Sequence, residues 1–186
     1  MLQRWAAKGA ISAVLVRDLV PEGANQYANH CILTGAVIGA LLPTTPCGAK
    51  RKFQFTVGDA VAPALEEQSV DAIICRHLLW TLRSPQVALM NWRRLLRPKG
   101  RVVVVDGFWF TQAKPEGNEL FERYYTDRTW EALPAVYWDR VEPVADLLTA
   151  AGFSDVTMTY LADARRLAEK PASAQPWFAV TGQRNE

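Results

Sequence analysis

The stretch DAIICRHLLWTL, residues 71–82, begins with the continuous apolar character of a buried strand, breaks at Cys75, Arg76 and His77, and then turns apolar again. A guanidinium holds anions and an imidazole moves protons near neutral pH, so the interruption has the makings of a site. Carboxylates stand at the ends of two more strand-like runs, Asp59 after FQFTVG and Asp106 after RVVVV. A carboxylate accepts hydrogen bonds from amino and amide groups. Cys31, Cys47 and Cys75 have no close paired spacing and leave one thiol over if two pair, which predicts neither a zinc site nor a disulfide framework.

Where these residues fall depends on the elements that carry them. FQFTV at 53–57 and AIIC at 72–75 read as strands, the second without alternation, as expected when both faces are covered. SPQVALMNWRRLLRPKG reads as a helix. Ser84 is its N-cap and Pro85 its first residue, with an apolar face of Val87, Leu89, Met90, Trp92, Leu95 and Leu96, and Pro98 and Gly100 form its stop. RVVVVDGFWF follows as a strand. Strand, helix and strand with short links form a right-handed crossover, which predicts an α/β fold with a mostly parallel, Rossmann-like sheet, helices on both faces and an antiparallel last strand. Later, VEPVADLLTAAGF reads as a helix stopped by Gly152, and SDVTMTYL and WFAVTGQR as strands. Sheets of this kind bind ligands outside the carboxyl ends of their parallel strands, where Asp59, Cys75–His77 and Asp106–Trp109 are expected.

The whole composition sets limits. The chain has 186 residues, 49% of them hydrophobic, 22% charged, and a net charge of +2, enough apolar material for one core and too little charge for a nucleic-acid surface. Arg93, Arg94, Arg97, Lys99 and Arg101 are the densest basic group and read as the solvated face and end of a helix rather than a phosphate site. The apolar stretch CILTGAVIGALLP is too short to span a bilayer, and the three scattered thiols fit a reducing cytoplasm. No signal-peptide cleavage pattern follows MLQRWAAKGAISAVLV. Sequence predicts no nucleic-acid or membrane partner and leaves the oligomeric state open.

The segments FTVGDA and SVDAIICRHLLWTLRSPQVALMNWRRLLRPKGRVVVVDGFW resemble the central part of class I S-adenosylmethionine-dependent methyltransferases that act on small molecules, and VADLLTAAGFSDVTMTYL and WFAVTGQR are similar to that family's late helix and strands. The resemblance covers residues 53–186. It implies S-adenosylmethionine as cofactor and a small-molecule acceptor. It places Asp59 and Ala60 at the adenine, Cys75 and Arg76 near the methionine moiety, and His77 as the base if the acceptor is a hydroxyl. The aromatic group from Phe108 to Trp138 falls where such enzymes carry a substrate cap, with Phe108, Trp109 and Tyr124 as acceptor contacts favouring a planar or apolar molecule. The chain accordingly divides into an atypical or replaced cofactor portion at 1–52, a central sheet at 53–107, an aromatic cap at 108–142, and a C-terminal helix and strands at 143–186.

Residues 1–52 depart from the pattern. VLVRDLVPEG occupies the position of the first strand and its loop without the glycine-rich E/D-x-G-x-G form, and HCILTG, at the second strand, is followed by no acid to hold a ribose. Each candidate also has a plainer role. Asp59 and Asp106 could close turns after their strands, Arg76 could pair with Glu66 or Asp71, His77 could be an interior histidine, Cys75 a buried small residue, and the aromatic group ordinary core. A non-catalytic, methyltransferase-like binding module is therefore the alternative function. A nucleotide-binding oxidoreductase would need the same absent glycine fingerprint.

Overall fold

The computed structural model describes residues 13–18, 36–41, 53–108, 110, 122, 125–161 and 177–186, with 13–18, 36–41 and 53–58 described by backbone alone. Its strands are β1 (Ala13–Asp18), β2 (Ala36–Leu41), β3 (Phe53–Gly58), β4 (Val70–Arg76), β5 (Leu96–Gly107), β6 (Phe153–Tyr160) and β7 (Trp177–Arg184). They form one seven-stranded sheet in the order β3-β2-β1-β4-β5-β7-β6. β4 lies between β1 and β5 and is parallel to both, while β7 is antiparallel to β5 and β6. The α/β class and the antiparallel last strand agree with the sequence.

The second strand does not fall where the sequence placed it. HCILTG lies outside the described residues, and β2 is the next six residues, AVIGAL, antiparallel to both β1 and β3. A parallel β2 would need a crossover of a dozen or more residues before β3. The intervening LPTTPCGAKRK is shorter than that and carries two prolines and a glycine, which oppose the helix such a crossover uses.

Helix α1 (Pro85–Leu95) buries Pro85, Ala88, Leu89, Trp92 and Leu95, a stripe at helical spacing. Val87 and Met90, assigned to that stripe from sequence, are instead 47% and 52% exposed. Counting every apolar residue overestimated the width of the buried face. Ser84 is the N-cap residue but makes no side-chain cap bond, so Pro85 alone supplies the expected start signal. The helix ends at Leu95, before Pro98, because Leu96 already has extended geometry and pairs with Val70.

Helix α3 (Glu142–Ala150) ends at Gly152, whose φ of +87° is open to glycine at little cost. It buries Val144 and Leu148 and lies on β6 and β7, in contact with α1. Beneath the two helices, Ile73, Cys75, Val102, Val104 and Val180 are each fully buried in the main core. Fit there is close. A Cβ at Gly182 would lie 2.9 Å from Cβ of Phe153 and 3.1 Å from Cδ2 of Leu148.

The basic group has a structural use at the amino-terminal edge of β5. Arg184 Nη1 donates to the carbonyl oxygens of Arg93 (3.1 Å) and Arg94 (3.0 Å), and also to that of Leu96. Arg93 Nε donates to the Gly152 carbonyl at 2.9 Å, and Arg97 pairs with Asp71 at 2.9 Å. The end of α1 leaves carbonyls without helical partners, and these guanidinium groups satisfy several of them while joining α1, β7 and the turn after α3. Arg94, Arg97 and Lys99 are exposed, as a solvated face and helix end require, while Arg93 and Arg184 form a clasp.

A second, smaller core lies beyond the carboxyl end of β5. It comprises Trp80 from the 3₁₀ turn (Leu79–Thr81), Phe110, Tyr125, Trp130 from the short helix α2 (Asp127–Glu131), Leu133, Ala135 and Val136. Trp80 stacks on Tyr125 at 5.7 Å between centroids and meets Phe110 edge to face at 5.1 Å, and Trp130 donates to the Tyr137 hydroxyl at 2.6 Å. Trp138 packs against both cores and joins them.

Candidate active site at the carboxyl edge of the sheet

Parallel strands present their carboxyl ends together, so the register itself brings the candidate residues to one edge. Arg17 pairs with Arg76 and Arg76 with Val105, while Ala36 pairs with both Asp18 and Gly58. Asp59, Asp18, Arg76 with His77, and Asp106 therefore follow one another along that edge. Leu41, the end of β2, pairs with Ala13 and Phe53, the starts of β1 and β3, and so lies at the opposite edge.

At the end of β3, Asp59 is exposed, and its Oδ1 accepts from the Val61 N–H at 2.8 Å in a turn two residues long. Helix α1 fixes that loop from below. Trp92 Nε1 donates to the Ala60 carbonyl at 2.7 Å and Asn91 Nδ2 to that of Val61 at 2.9 Å. Asp59 thus closes its turn, as the plainer reading held, while its carboxylate remains at the surface.

At the end of β4 the three successive residues go three ways. Cys75 is buried in the core and offers a ligand at most its backbone. Arg76 pairs with neither Glu66 nor Asp71. Its guanidinium carbon lies 5.5 Å from the centroid of the Trp177 ring, in cation–π geometry, and the side chain is exposed. His77 has a φ of +52°, a left-handed conformation that costs a non-glycine residue about 1–2 kcal/mol. Its N–H donates to the Val105 carbonyl at 3.0 Å, and its ring meets Trp177 edge-on at 5.2 Å. Imidazole Nδ1 is 3.7 Å from Oδ1 of Asp106, an ion-pair separation with side chains 19% and 4% exposed.

Asp106 also accepts from the Gly107 N–H at 2.9 Å. Phe108 is buried in the main core, its ring 5.1 Å from that of Phe178. Trp109 and Tyr124, its companions in the sequence assignment, lie outside the described residues. Asp106, Gly107, Phe108, Trp80, Val136 and Trp138 help line a cavity of about 10 Å³ between the smaller core and the sheet, the size of roughly one water. Three features were not legible beforehand. Asp106 was placed at the site edge but not beside His77, Asp18 was not singled out, and Trp177 stands one hundred positions after His77, next to it only once β7 is placed beside β5.

For S-adenosylmethionine, the donor set fits at two ends of the molecule. The exposed Asp59 carboxylate suits the adenine amino group, and Arg76 suits the carboxylate of the methionine moiety. The ribose position does not fit, because the end of β2 is at the far edge. Among the described residues, no group of three or more His, Cys, Asp and Glu could hold a metal ion, and no helix is long and apolar enough to cross a membrane.

Residues 35–104 match the family model described as methyltransferase domain. The match begins eighteen residues before the resemblance noted above (53 − 35 = 18) and so takes in β2. No curated protein matches the chain. A solved structure similar to it is phosphoethanolamine N-methyltransferase 2 of Haemonchus contortus in complex with S-adenosyl-L-methionine, at 14% identity and TM-score 0.47, covering 69% of this chain and 36% of that one. Another is a SAM-dependent methyltransferase from Aquifex aeolicus, at 15% identity and TM-score 0.46, covering 70% and 54%. The chain thus spans little more than a third of the length of the Haemonchus enzyme.

Proposed function

We propose that the chain is an S-adenosylmethionine-dependent methyltransferase acting on a small, planar or apolar acceptor. The observation that carries this reading is the convergence of Asp59, Arg76, His77 and Asp106 on the carboxyl edge of one α/β sheet, three of them within the segment of methyltransferase kind. When bound, the cofactor supplies an electrophilic methyl group on a positively charged sulfur. Asp59 holds its adenine amino group, and Arg76 with the backbone of Cys75 lies beside its methionine end. His77 faces the acceptor under the aromatic cap, where exclusion of water and alignment supply most of the acceleration that methyl transfer needs.

Calorimetric titration of the folded chain with S-adenosylmethionine and S-adenosylhomocysteine tests this reading. Micromolar binding is expected, weakened about tenfold in Asp59→Ala as a charge-assisted hydrogen bond is lost. The reversed β2 favours a second reading, a methyltransferase-like module that binds a partner and no cofactor. Absence of binding at millimolar ligand, with the fold intact by circular dichroism, would select it.

A further inference from the structure

Arg76 is exposed at the carboxyl end of β4, and among the described residues it is bonded to no carboxylate. Arg94, Arg97 and Arg184, by contrast, hold Glu67, Asp71 and main-chain carbonyls. What Arg76 has instead is Trp177, with its guanidinium carbon 5.5 Å from the ring centroid. That contact uses the flat face of the guanidinium. The five N–H donors lie in its plane and point outward from its edge, so the indole steadies the fork without occupying it. A fork held in this way suits a carboxylate, which takes two parallel bonds from it. Its place in the sheet indicates whose carboxylate that is. Arg76 pairs with Val105, and β7 lies on the far side of β5. The side chain therefore reaches across the end of β5 to meet Trp177, which pairs with Gly107. Asp59, at the end of β3, lies in the opposite direction along the edge. A cofactor running from Asp59 to the end of β4 leaves the ends of β5 and β7 to the acceptor.

We infer that Arg76 is a specificity-determining residue positioned by Trp177, and that the acceptor is a planar molecule bearing a carboxylate. This rests on the methyltransferase reading. The acid group lies against the guanidinium edge beside Gly107, which has no side chain to obstruct it. Trp177 is itself steadied, since its ring meets that of His77 edge-on at 5.2 Å. A negative acceptor is also drawn towards the positive sulfonium of the cofactor, so the charge that selects it helps to bring the two together. The methionine carboxylate is the other anion that the fork suits, and cofactor affinity separates the two.

The test uses the full chain with 2-naphthoate and, as a neutral probe of the same shape, 2-naphthamide. Dissociation constants are measured by calorimetry with and without saturating S-adenosylhomocysteine. The acid is expected to bind about tenfold more tightly than the amide, as a charge-assisted pair of hydrogen bonds implies. Arg76→Gln, a change at an exposed position, is expected to abolish that preference and leave the affinities for the amide and for S-adenosylhomocysteine unchanged. Trp177→Leu is expected to reduce the preference, and because it is a ratio of two probes on one variant, a general loosening of the fold does not imitate the effect. Equal binding of the two probes, binding of neither, or a preference that survives Arg76→Gln overturns the acid site. An unchanged preference in Trp177→Leu overturns the positioning role of the indole. Loss of S-adenosylhomocysteine affinity in Arg76→Gln also overturns the proposal, and gives the guanidinium to the methionine carboxylate. Tighter binding of 2-naphthyl phosphate than of 2-naphthoate overturns the carboxylate as the group that is read. If the native chain binds no S-adenosylhomocysteine, the methyltransferase reading fails instead, and the preference measured on the chain alone still decides whether Arg76 receives an acid.

Discussion

On one side of β1 the sheet advances by a crossover, from β4 through α1 to β5, and on the other it advances by reversals, from β1 to β2 to β3. Both give neighbours in the order expected of a doubly wound sheet, yet only the crossover side delivers adjacent strand ends to the same edge. Order and direction are thus separable. Order decides which strands touch, and direction decides which end of each strand can reach a ligand. An acid placed after β2 would stand beside the start of β1, so its absence from the sequence removes nothing from the carboxyl edge. What this half contributes there is the end of β1, at Asp18, and the end of β3, at Asp59.

The sharpest way to break this comparison is a pair of cysteines in a background with Cys31 and Cys47 changed to serine. Ala13→Cys with Leu41→Cys pairs residues that face each other in the antiparallel register, and near-complete disulfide formation on mild oxidation is expected by mass spectrometry. Cross-linking of Ala13→Cys with Ala36→Cys instead would mean that β2 runs parallel to β1. A large energetic effect is expected on the crossover side. Trp92 is fully buried and holds the Ala60 carbonyl, so Trp92→Ala is expected to cost about 3–5 kcal/mol in urea unfolding. It is also expected to loosen the Asp59 loop, which links the two halves. Gly182→Ala has a smaller expected effect, about 1–3 kcal/mol, since Phe153 and Leu148 must move to admit a methyl group. A neutral outcome there would show that α3 yields more readily than its packing implies.

The legible parts of the sequence were those with strong local signals. Four consecutive valines, Pro85 at a helix start and Gly152 at a helix end each act within a few residues, and the structure follows them. The strand ends at Asp59, His77 and Asp106 were legible for the same reason. β2 was not, because CILTGAVIGALLP is apolar throughout and offers no alternation to fix where pairing begins or which way the strand runs. The His77 surroundings were illegible for a different reason. Asp106 and Trp177 approach it from β5 and β7, and only the long-range arrangement of the sheet puts them within reach. Local chemistry identified the imidazole but not its partners.

The arginine clasp at the other edge carries a consequence for how this chain can change over time. Arg93 and Arg184 grip main-chain carbonyls, which every residue type provides, so these bonds ask nothing of the side chains at the positions held, while the grip itself needs a guanidinium. Recognition at the carboxyl edge depends instead on particular side chains. The molecule is thereby divided into a fastening indifferent to sequence drift and a working rim exposed to it. Side chains at the rim can change without reopening the problem of how the sheet stays together.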